Sequence, residues 1–172
     1  MAQGLVGVRP RRAEEMAALV EMLREVHLKD GYPSRWPEDP EGWLSPPGLA
    51  RAWVAEDPET GLLGHVGVVA DGEGPAGVTR LFVSPAARGR GLALGARLLE
   101  AVTEWAREQG LGLVLDVVED GGSAIALYER LGWQLVERGT ADWETADGRR
   151  LPLRIYRAPG MWEGEDQPGK TP

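Results

Sequence analysis

The stretch Arg88-Gly89-Arg90-Gly91-Leu92-Ala93 has the residue types and spacing to hold an anion. Glycine takes left-handed backbone conformations and lets a ligand come close to the main chain. The apolar run just before it, Leu81-Phe82-Val83, reads as a strand, and the segment from Gly91 onward reads as a helix. At a helix start the first N–H groups have no internal partner and the helix dipole is positive, so the junction suits a phosphate or pyrophosphate. Arg88 and Arg90 add charge. A Walker loop would need a Lys after its second glycine, and none is there. A dinucleotide fingerprint runs Gly-x-Gly-x-x-Gly, whereas Gly89, Gly91 and Gly95 run Gly-x-Gly-x-x-x-Gly in mid-chain, which disfavours a nicotinamide-dependent enzyme. Taken alone, the stretch reads rather as a glycine turn solvated by two arginines.

A second set of residues suits proton transfer. Tyr128 offers a phenol, whose ordinary pKa of about 10 would let it act as a proton donor in a dry cleft. Packing on a helix beside Ala124 and Leu131 explains the same residue without chemistry. His65 is the group whose ordinary pKa, about 6.5, lies nearest neutrality, and a satisfied strand histidine is its plain alternative. Asp116 interrupts an apolar run, where a buried carboxylate would need a partner. Glu119 and Asp120 follow directly. His65, Asp116, Glu119, Asp120 and water alone all stand as candidates for a base. The chain has two histidines and no cysteine, so it carries no metal motif, thiolate nucleophile or disulfide.

The elements that must position these groups follow from periodicity and turn residues. Residues 5–8, 50–56, 62–70, 76–83, 111–118, 133–138 and 151–156 read as strands. Residue runs 12–27, 91–109 and 123–131 read as helices, closed by Gly31, Gly110 and Gly132. The run 111–118 is almost wholly apolar, as in a central strand covered on both faces. Between the first helix and the second strand lies a Pro-rich segment with room for one helical turn at 40–44. This order predicts an α/β protein (α+β by some schemes): a mixed sheet of six or seven strands with helices on its faces. The organisation expected is one domain, 1–157, followed by a disordered polar tail, 158–172.

Two motifs in this frame resemble one known family. Arg88-Gly89-Arg90-Gly91-Leu92-Ala93, with its lead-in Leu81-Phe82-Val83-Ser84-Pro85, is similar to the Arg/Gln-x-x-Gly-x-Gly/Ala signature of the GNAT superfamily of acyl-CoA-dependent N-acyltransferases. Ala124-Ile125-Ala126-Leu127-Tyr128-Glu129-Arg130-Leu131-Gly132-Trp133 resembles the family's second motif, and both stand in family order. The resemblance covers about residues 78–136. It implies a mostly antiparallel sheet whose two central strands splay, with the pantetheine of acetyl-CoA pairing near Leu81 and Val83. It also implies the cofactor's pyrophosphate on residues 88–93, an N–H near Phe82 or Val83 for the carbonyl oxygen, and Tyr128 as general acid. The implied reaction is direct attack of a primary amine on the thioester in a ternary complex, and the family admits homodimers. Two positions depart from the pattern: Gly121 stands where an Asn is frequent, and residues 77–81 lack the carboxylate that serves many relatives as base, which leaves His65 among the substitutes. A catalytically silent acyl-CoA sensor on the same fold is the alternative.

Composition narrows the partners. The net charge of −8 argues against nucleic acid, whose phosphates need a basic face, and is compatible with a cationic acceptor. No apolar run is long enough for a membrane helix and no leader is evident at the start, so a cytoplasmic protein is expected. The acceptor, a small molecule or a peptide, is expected against residues 30–44. There Tyr32, Trp36 and Trp43 offer aromatic faces, and Asp30, Glu38, Asp39 and Glu41 offer negative charge. Tryptophans that tuck the segment onto the core would give the same composition.

Overall fold

A computed structural model describes residues 5–119 and 123–160. Seven strands form one sheet in the order β1-β2-β3-β4-β5-β7-β6. They are β1 (Gly7–Pro10), β2 (Leu49–Asp57), β3 (Gly61–Val69), β4 (Ala76–Val83), β5 (Leu113–Val118), β6 (Gln134–Thr140) and β7 (Pro152–Arg157). The pairs β1–β2, β2–β3, β5–β7 and β6–β7 are antiparallel, while β4–β5 is parallel. The β4–β5 register consists of Ala76↔Leu113 and Gly77↔Val114. Four α-helices complete the fold: α1 (Met16–Asp30), α2 (Pro40–Trp43), α3 (Leu94–Gln109) and α4 (Ser123–Arg130).

The chain falls into two compact units. The first holds residues 1–70 and 78–102. Its core is the apolar stripe of α1, Leu19, Met22, Leu23 and Val26, set against Leu44, Val54 and Phe82. The helix ends because Gly31 adopts φ +74° and sends its N–H to the His27 carbonyl, 2.9 Å. Asp39 caps the short α2 by accepting the Gly42 N–H at 3.1 Å, and a Cβ on Gly42 would lie 2.3 Å from an Asp39 carboxylate oxygen. The second unit holds residues 71–77 and 103–172. Buried Leu113, Leu115, Trp133 and Tyr156 form its interior with Tyr128 of α4.

Several boundaries differ from the sequence reading. Strand β1 lies two residues later than expected, because it is an edge strand, where a proline without N–H is tolerated. Helix α1 starts after a 3₁₀ turn at Ala13–Glu15, where the Glu15 carboxylate accepts the Arg12 N–H. It then runs past its apolar stripe to Asp30. Helix α3 begins at Leu94 rather than Gly91, since Gly91 and Ala93 both have positive φ. The expectation that β5 is covered on both faces fails: Leu113 and Leu115 are buried, but Val114 and Val118 are half-buried and Asp116 is exposed. Asp116 therefore needs no buried partner. Ala158, assigned to the tail, is buried and donates its N–H to Leu113, so the folded part extends beyond Arg157. The rest of the expected tail, from 161, lies outside the described residues, as do Asp120 and Gly121. No helix among the described residues is long and apolar enough to cross a membrane.

Candidate acyl-transfer site

The anion loop is built from alternating backbone hands. Gly89, Gly91 and Ala93 have φ +75°, +71° and +51°, while Arg90 and Leu92 between them keep negative φ. Such alternation turns successive N–H groups toward one side, forming a concave nest for an anion. The N–H groups of residues 89–93 find no acceptor among the described residues, and the first turn of α3 follows at once. Nothing lies within 4 Å of a Cβ added at Gly89 or Gly91. Ala93 holds a left-handed conformation that costs an L-residue energy, of the kind found at ligand clamps.

The two loop arginines divide their work. Arg88 Nη2 lies 2.5 Å from the Asp30 carboxylate and donates to the Val83 carbonyl at 2.9 Å. It ties the end of α1 to the end of β4 and braces the loop. Arg90 is exposed and forms no ion pair among the described residues. Of the strand residues ahead of the loop, Phe82 is buried while Leu81 and Val83 are half-buried.

His65 has a different post from the one a base requires. It is fully buried on β3 and stacks on Phe82 with ring centroids 5.1 Å apart. Its Nδ1 lies 2.8 Å from the Arg80 carbonyl, which can only accept, so Nδ1 carries the proton. Its Nε2 then accepts from Arg11 Nη1 at 3.1 Å. Burial, and then the charges of Arg11 and Arg80, push the His65 pKa down to about 4 against the pull of the Arg80 carbonyl. Both nitrogens are engaged and the ring stays neutral, so the geometry favours the satisfied strand histidine. Arg80 itself has φ +55° within β4, which turns its carbonyl toward His65.

Residues 30–44 pack more tightly than an open wall would. Tyr32, Trp36 and Trp43 are half-buried against the α1 core. The Arg24 guanidinium lies 4.7 Å from the centre of the Trp36 ring, and that of Arg80 4.1 Å from Trp43. Arg80 Nε also donates to the Trp43 carbonyl at 2.8 Å. The chain's own arginines thus use these rings as cation seats. Of the four acids in the segment, Asp30 is paired with Arg88 and Asp39 caps α2.

In the second unit, Tyr128 of α4 packs between Trp133 and Tyr156, each ring centre 6.2 Å away. The sequence reading missed the cluster beside it. The buried Tyr156 hydroxyl donates to Glu129 at 2.7 Å, and Arg154 donates to Tyr156 and to Glu119, each at 3.3 Å. Burial and the Glu129 contact raise the Tyr156 pKa. Alternation of Arg154 and Tyr156 along the closing strand was the available signal. Glu119 is further shared with Arg138 at 3.8 Å, whereas the Asp116 side chain has no hydrogen bond or ion pair among the described residues.

Comparison with known proteins gives a consistent set. A model of the Acetyltransferase (GNAT) family matches residues 16–133. Mycothiol acetyltransferase of Rhodococcus erythropolis is 42% identical over 98 residues, which are 54% of this chain and 32% of that protein. This chain therefore spans about a third of that relative. Two solved structures share the fold at low identity. The ribosomal-protein-S18-alanine N-acetyltransferase of Escherichia coli superposes with a TM-score of 0.69 at 18% identity, covering 89% of this chain and 92% of that one. NAA60 of Arabidopsis thaliana, solved with a bisubstrate analogue, gives 0.68 at 21%, covering 90% and 99%.

Proposed function

Since this chain belongs to the acetyltransferase (GNAT) family, we propose that it transfers an acetyl group from acetyl-CoA to a primary amine by direct attack in a ternary complex. The observation that carries this reading is the nest at residues 89–93 opening α3, whose outward N–H groups suit a pyrophosphate. Arg90 supplies charge there, and Arg88 holds the loop in place. Acetyl-CoA brings an activated thioester, and the half-buried end of β4 at Leu81 and Val83 offers backbone groups along which its arm would lie. A backbone N–H of Phe82 or Val83 would carry the developing oxyanion.

The amine nitrogen bonds to the acetyl carbon as the carbon–sulfur bond breaks. Two protons must move. We assign the thiolate's proton to Tyr128, on its place in the second motif and its packed setting on α4. The amine's proton goes to Asp116, supported by its exposure on β5 and its freedom from ion pairs among the described residues. His65 is already committed and Glu119 serves Arg154. We place the acceptor beside residues 30–44 and the reaction in the cytoplasm. The relatives named above carry small-molecule and protein acceptors in their names, so both classes belong in the screen.

The experiment is CoA release from acetyl-CoA over a panel of amines, with the product identified by mass. Acetylation of at least one amine, abolished or strongly slowed in Tyr128→Phe, is the expected result. Tight acetyl-CoA binding with no release from any amine would make the protein a silent acyl-CoA sensor and overturn the proposal.

A further inference from the structure

Arg11 follows β1 directly and is half-buried. Its guanidinium has five N–H donors. Nη1 uses both of its hydrogens, one toward the Leu44 carbonyl at 2.8 Å and one toward His65 Nε2 at 3.1 Å. Nη2 gives one to the Ser45 hydroxyl at 2.7 Å, and that contact lies at the surface. Nε–H and the second Nη2–H remain. Nε is not sealed from solvent, for the one buried side-chain nitrogen without a partner among the described residues is Arg154 Nε, and Nη2 takes part in a contact at the surface. All of Arg11's partners are neutral, and no carboxylate lies within ion-pair distance of it among the described residues. Its neighbour Arg9 shows the ordinary case, with Glu15 and Glu56 both bonded to it.

No carboxylate bonds this guanidinium, and Glu15 acts on it only through space, in a chain of net charge −8. His65 cannot supply the missing charge, because it is the neutral tautomer whose lone pair faces Arg11. Its ring instead fixes the inner edge of the guanidinium and so aims the outer edge at solvent. Ser45 accepts from Arg11, which leaves its own O–H to donate outward. Arg80, whose charge acts on the same histidine, adds a second cation close by, held over Trp43. Arg11 and the Ser45 hydroxyl thus stand together at the end of α2, beside the segment assigned to the acceptor, with Arg80 engaged on Trp43 of the same helix.

We propose that the outer edge of Arg11, together with the Ser45 hydroxyl, binds an acid group on the acceptor, so that the acceptor is an amine that also carries a carboxylate or a phosphate. This inference rests on the acetyltransferase reading and names the substrate class for it. A planar guanidinium edge with an adjacent hydroxyl matches the oxygens of either acid, and charged hydrogen bonds of this kind discriminate strongly against neutral analogues. A cationic acceptor without an acid group would meet like charge here instead.

The test pairs each acid-bearing amine with its neutral counterpart: amino acids with their amides, and phosphoethanolamine with ethanolamine. The two sources of acid are thereby read apart. The wild type should favour the acid in kcat/KM, and Arg11→Lys and Ser45→Ala should each cut the acid-to-neutral ratio by about tenfold, the scale of a lost charged hydrogen bond. Ser45 is exposed, so its variant keeps the fold, and melting temperatures verify this for both. A wild-type ratio of one or below, or a ratio that survives both substitutions, overturns the inference. Calorimetric titration with inorganic phosphate under saturating CoA reads the same site without turnover. Phosphate heat that disappears in Arg11→Lys supports the anion site even if no amine is acetylated, an outcome that sinks the transferase reading alone. Phosphate heat that is absent, or equal in both proteins, counts against it.

Discussion

Replacing Gly91 by Glu separates two effects that the loop geometry keeps distinct. Gly91 sits at φ +71° with open space where a Cβ would project. A Cβ there meets no atom within 4 Å, so its cost to the fold is backbone strain of about 1–2 kcal/mol. That cost appears in the melting temperature and not in the affinity. The new carboxylate, by contrast, would sit in the loop to which we assign the pyrophosphate. At a separation of about 6 Å, each pair of unit charges repels by roughly 0.7 kcal/mol in bulk water and by about 3 kcal/mol at an effective dielectric constant of 20. Affinity for acetyl-CoA should therefore fall by about threefold to about a hundredfold per charge pair. Gly91→Gln carries the same strain and nearly the same bulk without the charge. Calorimetry with acetyl-CoA on both variants, at low and high salt, is the assay. A folded Gly91→Glu protein that binds as tightly as the wild type refutes the pyrophosphate assignment. Equal loss in Gly91→Gln would show that bulk, not charge, is being read.

Tyr128→Phe should lower kcat by about 10²- to 10⁴-fold with little change in the KM for acetyl-CoA, and steady-state kinetics would expose a fully active variant. Asp116→Asn should lower kcat/KM for the amine by about 10²-fold, and wild-type activity in the variant returns the base to water. Trp36→Ala and Trp43→Ala should each lower stability by about 3 kcal/mol, as large-to-small changes against a core do, and equal melting temperatures would contradict the packing described. His65 makes the protein acid-sensitive in a defined window. Its pKa is about 4 when folded and 6.5 when exposed, so only the unfolded chain takes up the proton between these values. The stability is complete above pH 6.5 and decays as pH falls toward 4, by about 3 kcal/mol in all. Melting of the wild type and His65→Gln across that range should show a steeper decline in the wild type, and parallel curves would refute the neutral-histidine assignment.

The motif-bearing elements were legible in the sequence because local rules agree there. Strand β4 has the expected bounds, and α4 ends just before Gly132 as the glycine demands. What escaped depends on contacts far along the chain. Periodicity at Leu94, Leu98 and Val102 continues smoothly back to Gly91, so it cannot reveal that residues 91–93 leave the helix to form a nest. Asp116 lies in an apolar run, yet whether both faces of a strand are covered is decided by which helices pack there, not by the strand. The aromatic segment reads as an open wall until Arg24 and Arg80, distant in sequence from the rings they cover, are seen on Trp36 and Trp43. His65 is similar: only the left-handed Arg80 on the next strand turns a carbonyl into its Nδ1.

The segment that runs from Asp30 to α2 is fastened at its ends by forces that respond differently to ionic strength. At the start, Asp30 and Arg88 are each more than a third exposed, so added salt screens their attraction. At the far end, Arg80 lies over the Trp43 ring and bonds a main-chain carbonyl, contacts between half-buried residues that salt screens less. Raising the salt should thus weaken the Asp30–Arg88 tie while leaving the α2 anchor and the packing of Tyr32 and Trp36 in place. The segment would stay seated, and what the ionic medium sets is how firmly the end of α1 is tied to the loop that follows β4.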